Sequence, residues 1–163
     1  MDRSGGANIE ENVPTVPGSY ALLLELKEPV RLAVGRLGEF LFPRGDYLYL
    51  GSAHGPGGLR ARLRHHAWPV EHPHWHLDWL RPWAALPGGW YATGTDLLEC
   101  AWSQALLCLP GICIPAPGFG SADCRRKCPA HLIAFPGGVN VDLVEEVLRR
   151  VPGTPLIGRF LRA

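Results

Sequence analysis

No apolar run in this 163-residue chain reaches the roughly 18–20 consecutive residues that a membrane-spanning helix needs, so no span is expected. Net charge is almost absent: 16 basic and 15 acidic residues leave +1, which removes a global basic field as an argument for coating nucleic acid. The opening stretch, MDRSGGANIEENVP, lacks the apolar or basic character of a secretory or transit peptide, and a cytoplasmic location is expected. Five cysteines, an odd count without an export signal, speak against a disulfide frame and for free thiols or a metal site. No internal repeat is visible.

What is present suits a globular protein. Apolar residues make up 47% of a length that fits one domain and can bury a core without staples. Of the 16 basic residues 14 are Arg, whose planar fork suits phosphate, although a GC-rich genome would give the same bias. Charge is also uneven along the chain. The tract from Arg60 to His66 (RARLRHH) holds three Arg and two His with no acid, whereas acids gather at the N-terminus and at 142–146.

Residues 1–16 read as a flexible leader before Pro17-Gly18. SYALLLEL (19–26) is a short apolar run bounded by turn residues, which predicts a buried strand. RLAVGRLGEFLF (31–42) predicts one or two strands with glycine turns, and DYLYLGSA (46–53) another strand. A Gly-rich loop (54–58) leads into a helix on which Leu59, Leu63 and Ala67 share a face while the basic residues point outward. A second helix is predicted from His74 to Trp83, and Gly88-Gly89 precedes a short strand, WYATGT. Asp96 predicts the cap of a third helix, LLECAWSQALLCL, stopped by Pro110-Gly111. Residues 111–130 form a long loop of the kind that is usually functional. HLIAF (131–135) predicts a last strand, and VDLVEEVLRR (141–150) an added helix followed by a basic tail. The order implies an α/β (α+β) fold: a small central mixed or antiparallel sheet flanked by helices. The core domain is expected at 17–136, with a helical extension at 137–163.

One set of residues is chemically specific as a group. Gly18-Ser19-Tyr20 on the first strand and Tyr49-Leu50-Gly51 on a later one are followed by Arg62 and His66, four residues apart on a helix, and by Glu99 near a helix start. Together these resemble the GIY-YIG nuclease superfamily. FPRGDYLYLGSA, GPGGLRARLRHH, HWHLDWL and FGSADC further resemble a GIY-YIG-like group whose members occur alone or fused to endonuclease-III-type repair glycosylases. The resemblance covers roughly 17–135. It implies a metal-dependent endonuclease acting on DNA, or on RNA, in repair or processing, with a repair glycosylase as one kind of protein partner. In that reading Glu99 holds one divalent ion, Mg²⁺ or Mn²⁺, with water and substrate oxygens completing the sphere. Arg62 neutralises the phosphate. Tyr20 serves as general base if positive charge lowers its pKa from about 10; Tyr49 orients water or phosphate, and His66 shares the acid–base work. The alternatives are a non-catalytic nucleic-acid-binding module on the same scaffold and a zinc-stabilised interaction protein.

Two further groupings stand out. Cys124, Cys128 and His131 form C-x₃-C-x₂-H, with Cys113 upstream; thiolates and imidazole are zinc ligands, although the spacing is looser than the usual pairs. Asp123 beside them is a further carboxylate that could face the site, and Arg125 and Arg126 could instead form a phosphate-binding loop tip. His72, His74 and His76 surround Trp75 and read as a groove lining or a helix cap. The nucleic-acid contacts expected from charge and position are Arg60, Arg64, His65, His74, His76, Arg125 and Arg126.

Overall fold

The protein, described here from a computed structural model, is defined for residues 9, 12–155 and 157–161. Among the described residues seven strands and four helices follow in the order β1 (Gly18–Leu26), β2 (Val30–Val34), β3 (Gly38–Phe42), β4 (Gly45–Ala53), α1 (Gly58–Ala67), α2 (His76–Leu80), β5 (Ala85–Thr93), α3 (Glu99–Leu106), β6 (Leu132–Phe135), α4 (Val141–Arg150) and β7 (Gly158–Leu161). The main sheet has five antiparallel strands in the order β6-β4-β1-β5-β7, and β2 and β3 form a separate ribbon. The fold is therefore α+β, with the sheet antiparallel throughout.

β1 lies at the centre because its apolar run can be buried on both sides. Alternate residues point to opposite faces. Tyr20, Leu22, Leu24 and Leu26 join a core beneath α1, α2 and the ribbon, while Ala21 and Leu23 face a second core with Trp102 of α3 and Val144 of α4. On α1, Leu59, Leu63 and Ala67 are buried as their spacing predicts. The open end of that helix is closed by buried Arg81, which donates from Nε to the His66 carbonyl (2.6 Å) and from Nη2 to the Ala67 carbonyl (2.9 Å). A cation placed there also meets the negative end of the helix dipole.

Several local expectations give way to tertiary pairing. Residues 1–8, 10 and 11 of the expected leader lie outside the described residues, but Ile9 and Val13 are buried in the core. The short strand expected after Gly88-Gly89 begins earlier, at Ala85, so both glycines sit inside β5 and pair with Leu23 and Leu22. The second helix is the shorter α2, with Trp75 at its N-cap and the Asp78 carboxylate accepting from the His74 and Trp75 amides. α3 starts two residues later than predicted and is capped across the fold: Ser19 Oγ of β1 accepts from the Leu98 amide at 3.0 Å, where Asp96 was expected. After α4, whose Asn140 cap accepts from the Leu143 amide, the expected tail forms edge strand β7, with Phe160 buried. The extension thus completes the main sheet.

Candidate functional site

At the end of β1 and β4 where helices from both faces meet, a cleft of about 1130 Å³ opens. Tyr20, Tyr49, Ser52, Arg62, Trp75 and Glu99 line it on the sheet side, and Asp123, Cys124, Arg125, Arg126 and His131 on the loop side. The register explains how two tyrosines come together. Tyr20 of β1 lies opposite Gly51 of β4, and its ring crosses above that glycine so closely that any Cβ there would collide with the phenol. Gly51 therefore makes room for Tyr20, whose ring stands 6.4 Å from that of Tyr49.

The Tyr20 hydroxyl is held between two groups. The Arg62 charge of α1 faces it, and His66 Nε2, one helical turn further on, lies 3.0 Å away. Burial, opposed by the Arg62 charge, pushes the phenol up to about 12. Burial likewise holds Tyr49 well above the ordinary tyrosine value. His66 is fully buried, and burial with the neighbouring His65, Arg62 and Arg81 charges holds it well below the usual histidine value. It is thus neutral near pH 7. Its Nδ1 has no hydrogen-bond partner among the described residues and faces Asp78 Oδ1 at 3.9 Å. A proton on Nδ1 then meets the carboxylate and leaves Nε2 to accept from Tyr20.

Arg62 itself is well fixed. Its guanidinium stacks 4.2 Å from the Trp75 ring centroid and donates to the Ser52 carbonyl at 3.2 Å. Glu99, half-buried in the first turn of α3, accepts from the Ser52 hydroxyl, and Ser52 Oγ in turn lies 3.2 Å from Ser19 Oγ. Ser19 therefore both caps α3 and steadies the pair that holds Glu99. A serine in the motif's second position carried no such signal in the sequence, because the amide it caps belongs to Leu98, 79 residues away. Asp78, buried at 2% exposure and bonded by His65 Nε2 at 3.0 Å, also belongs to this cluster.

The expected nucleic-acid contacts divide. Arg125 and Arg126 are exposed on the cleft rim. Arg64 and His74 are exposed but do not line the cleft. Arg60 is turned to the Val13 carbonyl at 2.7 Å, His65 is engaged by Asp78, and His76 Nδ1 accepts from the Gly120 amide at 2.8 Å. These three, expected to contact nucleic acid, each have an internal hydrogen-bond partner. A helical wheel marks them as polar; only the packed chain supplies the internal partners.

On the other side of Glu99, Cys100 turns into a second cluster with Cys124, Cys128 and His131, and all four ligand atoms lie within 4.8 Å of one another. This Cys₃His set could hold a metal ion. Cys113, considered from its spacing, instead bridges to Ala134 through its backbone. Cys100 was overlooked because it lies on a helix 24 residues before Cys124. Burial and the neighbouring Cys124 and Cys128 push the Cys100 thiol up.

No helix among the described residues is long and apolar enough to cross a membrane. Neither a curated protein nor a solved structure matches the chain. A family model described as "Domain of unknown function DUF123" matches residues 19–152, a span that runs from Ser19 through both clusters and α4. Most of the chain is covered, and the protein belongs to the DUF123 family.

Proposed function

We propose that this chain is a metal-dependent endonuclease of the GIY-YIG type, hydrolysing phosphodiester bonds of DNA, with RNA as the second substrate class. The observation that carries the reading is the Tyr20 hydroxyl held between Arg62 and His66 in an open cleft that also contains Glu99. A purely adhesive surface has no need of a buried phenol–imidazole pair beside a carboxylate. Desolvating such groups costs free energy that a binding face would avoid.

The Glu99 carboxylate and the Ser52 hydroxyl beside it are hard oxygen donors, a set that fits Mg²⁺ or Mn²⁺ with water and substrate oxygens around it. When bound, such an ion supplies charge to the phosphoryl oxygens and acidifies a coordinated water. The remaining work belongs to the chain. Arg62, locked by Trp75 and the Ser52 carbonyl, presents a fixed charge to the nonbridging oxygens. Tyr20 passes its proton to neutral His66, which the Asp78 carboxylate faces from behind, and the phenolate left between Arg62 and the cleft takes a proton from water. Tyr49 packs against the His66 ring at 5.8 Å and keeps it dry. Arg125 and Arg126 on the rim steer the backbone of the substrate.

The test is a cleavage assay on labelled single-stranded, duplex, flapped and branched DNA and on structured RNA, with Mg²⁺ or Mn²⁺. Cutting by the native protein and not by Glu99→Ala supports the reading. Retained binding in a gel shift with no cutting on any substrate would replace it with a binding module.

A further inference from the structure

We propose that Cys100, Cys124, Cys128 and His131 form a tetrahedral zinc centre that staples the rim loop of the cleft to the first turn of α3. A single Zn²⁺ with Zn–S of about 2.3 Å and Zn–N of about 2.0–2.1 Å sets ligand separations of about 3.8 Å between sulfurs and about 3.6 Å from sulfur to nitrogen. Cys100 Sγ lies 3.3 Å from Cys124 Sγ and 3.6 Å from His131 Nε2, and every pair of the four ligand atoms is within 4.8 Å. An iron–sulfur cluster spreads its ligands over separate irons and does not fit so tight a set. Three sulfurs and one imidazole are soft donors that select zinc over magnesium.

The surroundings match a ligand set oriented in advance. The Gly120 backbone packs beside the His131 ring, the kind of neighbour that orients metal-bound imidazoles. The residue is fixed on both sides, by its amide to the Phe119 carbonyl (2.8 Å) and by its carbonyl to the Leu50 amide (2.9 Å). Gly120 has φ +71°, and a Cβ there would press on Tyr49 and His131, so glycine allows the loop to turn under the site.

The segment between α3 and β6 has no helix or strand of its own; it meets the sheet through the isolated bridge of Cys113 to Ala134 and the bond from the Leu50 amide to the His131 carbonyl, and α2 through the Gly120 amide. A loop of that length pays a closure cost that a staple offsets. The same loop carries Asp123, Arg125 and Arg126 into the cleft, while Cys100 follows Glu99 directly. Zinc would therefore set the position of the rim relative to the carboxylate. The centre itself stands without the nuclease reading; only its effect on cutting rests on it.

The experiment is elemental analysis of the full chain purified without chelator, followed by cobalt exchange. About one zinc per chain is expected, and after exchange a sulfur-to-cobalt charge-transfer band with visible bands of tetrahedral intensity. Cys124→Ser should retain less than about a tenth of the zinc and melt at lower temperature, whereas Cys108→Ser, an exposed thiol, should match the native protein. The wild-type cobalt spectrum decides the matter even if Cys124→Ser fails to fold. Native protein that neither carries zinc nor shows those cobalt bands overturns the proposal, as does a Cys100–Cys124 disulfide in freshly purified reduced protein, or iron in place of zinc. Zinc without cutting removes the nuclease reading and leaves the centre; cutting without zinc does the reverse.

Discussion

Glu99 and Cys100 are consecutive, yet they serve clusters built on different terms. The tyrosine cluster takes its members from β1, β4, α1 and α3, elements held by the two cores. Its geometry needs no ion: hydrogen bonds and ring contacts fix Tyr20, His66, Arg62 and Trp75 in place. The cysteine cluster takes one ligand from a helix and three from the end of a turn-rich segment. Reactive groups thus sit on rigid scaffold, where small displacements would cost rate, while ligands with little scaffold of their own are suited to be held by what they bind.

The sharpest way to test that contrast is Glu99→Ala. Cutting should fall by on the order of a thousandfold, the scale of losing a group that stabilises transition-state charge, with the melting temperature nearly unchanged. A large loss of stability would place Glu99 among the structural residues. Tyr20→Phe comes next, with a loss of about 10²–10⁴-fold if the phenol is the general base. The pH profile is a second check. Because the Tyr20 proton passes to His66 within the site, the reactive tautomer is a fixed fraction wherever Tyr20 is protonated and His66 neutral, so the native rate should be level through the neutral and mildly alkaline range. A rate that rises with pH across that range, with chemistry rate-limiting, would send the Tyr20 proton to solvent instead of to His66.

Smaller effects concern stability. Asp78→Ala removes the acceptor of His65 Nε2 and of two backbone amides and should destabilise by about 1–3 kcal/mol in denaturant melts; an unchanged midpoint would mean water replaces it at no cost. The smallest expected effect follows from His66. Its folded pKa lies well below the unfolded value of about 6.5, so above that value both states are neutral and pH has no leverage through this group. As pH falls below about 6.5 the unfolded chain takes up the proton first and stability declines. Melting curves of the native protein and His66→Gln across pH 5–8 should converge toward the acid end; parallel curves would show that His66 does not carry the decline.

Much of this arrangement was legible from residue order. β1, β4, α1 and α4 follow from apolar periodicity and turn residues, and Tyr20, Tyr49, Arg62, His66 and Glu99 do line or border one cleft. The misses share a cause. Gly88-Gly89 stands before the strand expected at WYATGT and residues 158–161 in the expected basic tail, but pairing with neighbouring strands makes both part of the sheet. Ile9 and Val13 were read as leader because a short apolar pair in polar sequence gives no period to detect.

The sequence by itself determined which segments could bury an apolar face and which reactive side chains were available, since both depend on residue type and spacing along one element. The tertiary structure alone decided their partners: Ser19 capping α3, Asp78 facing His66, Arg60 and His65 turned inward, and Cys100 meeting Cys124, Cys128 and His131. Each of those contacts joins residues from different elements, and a local pattern carries no information about which distant donor or ligand will arrive at a given buried atom.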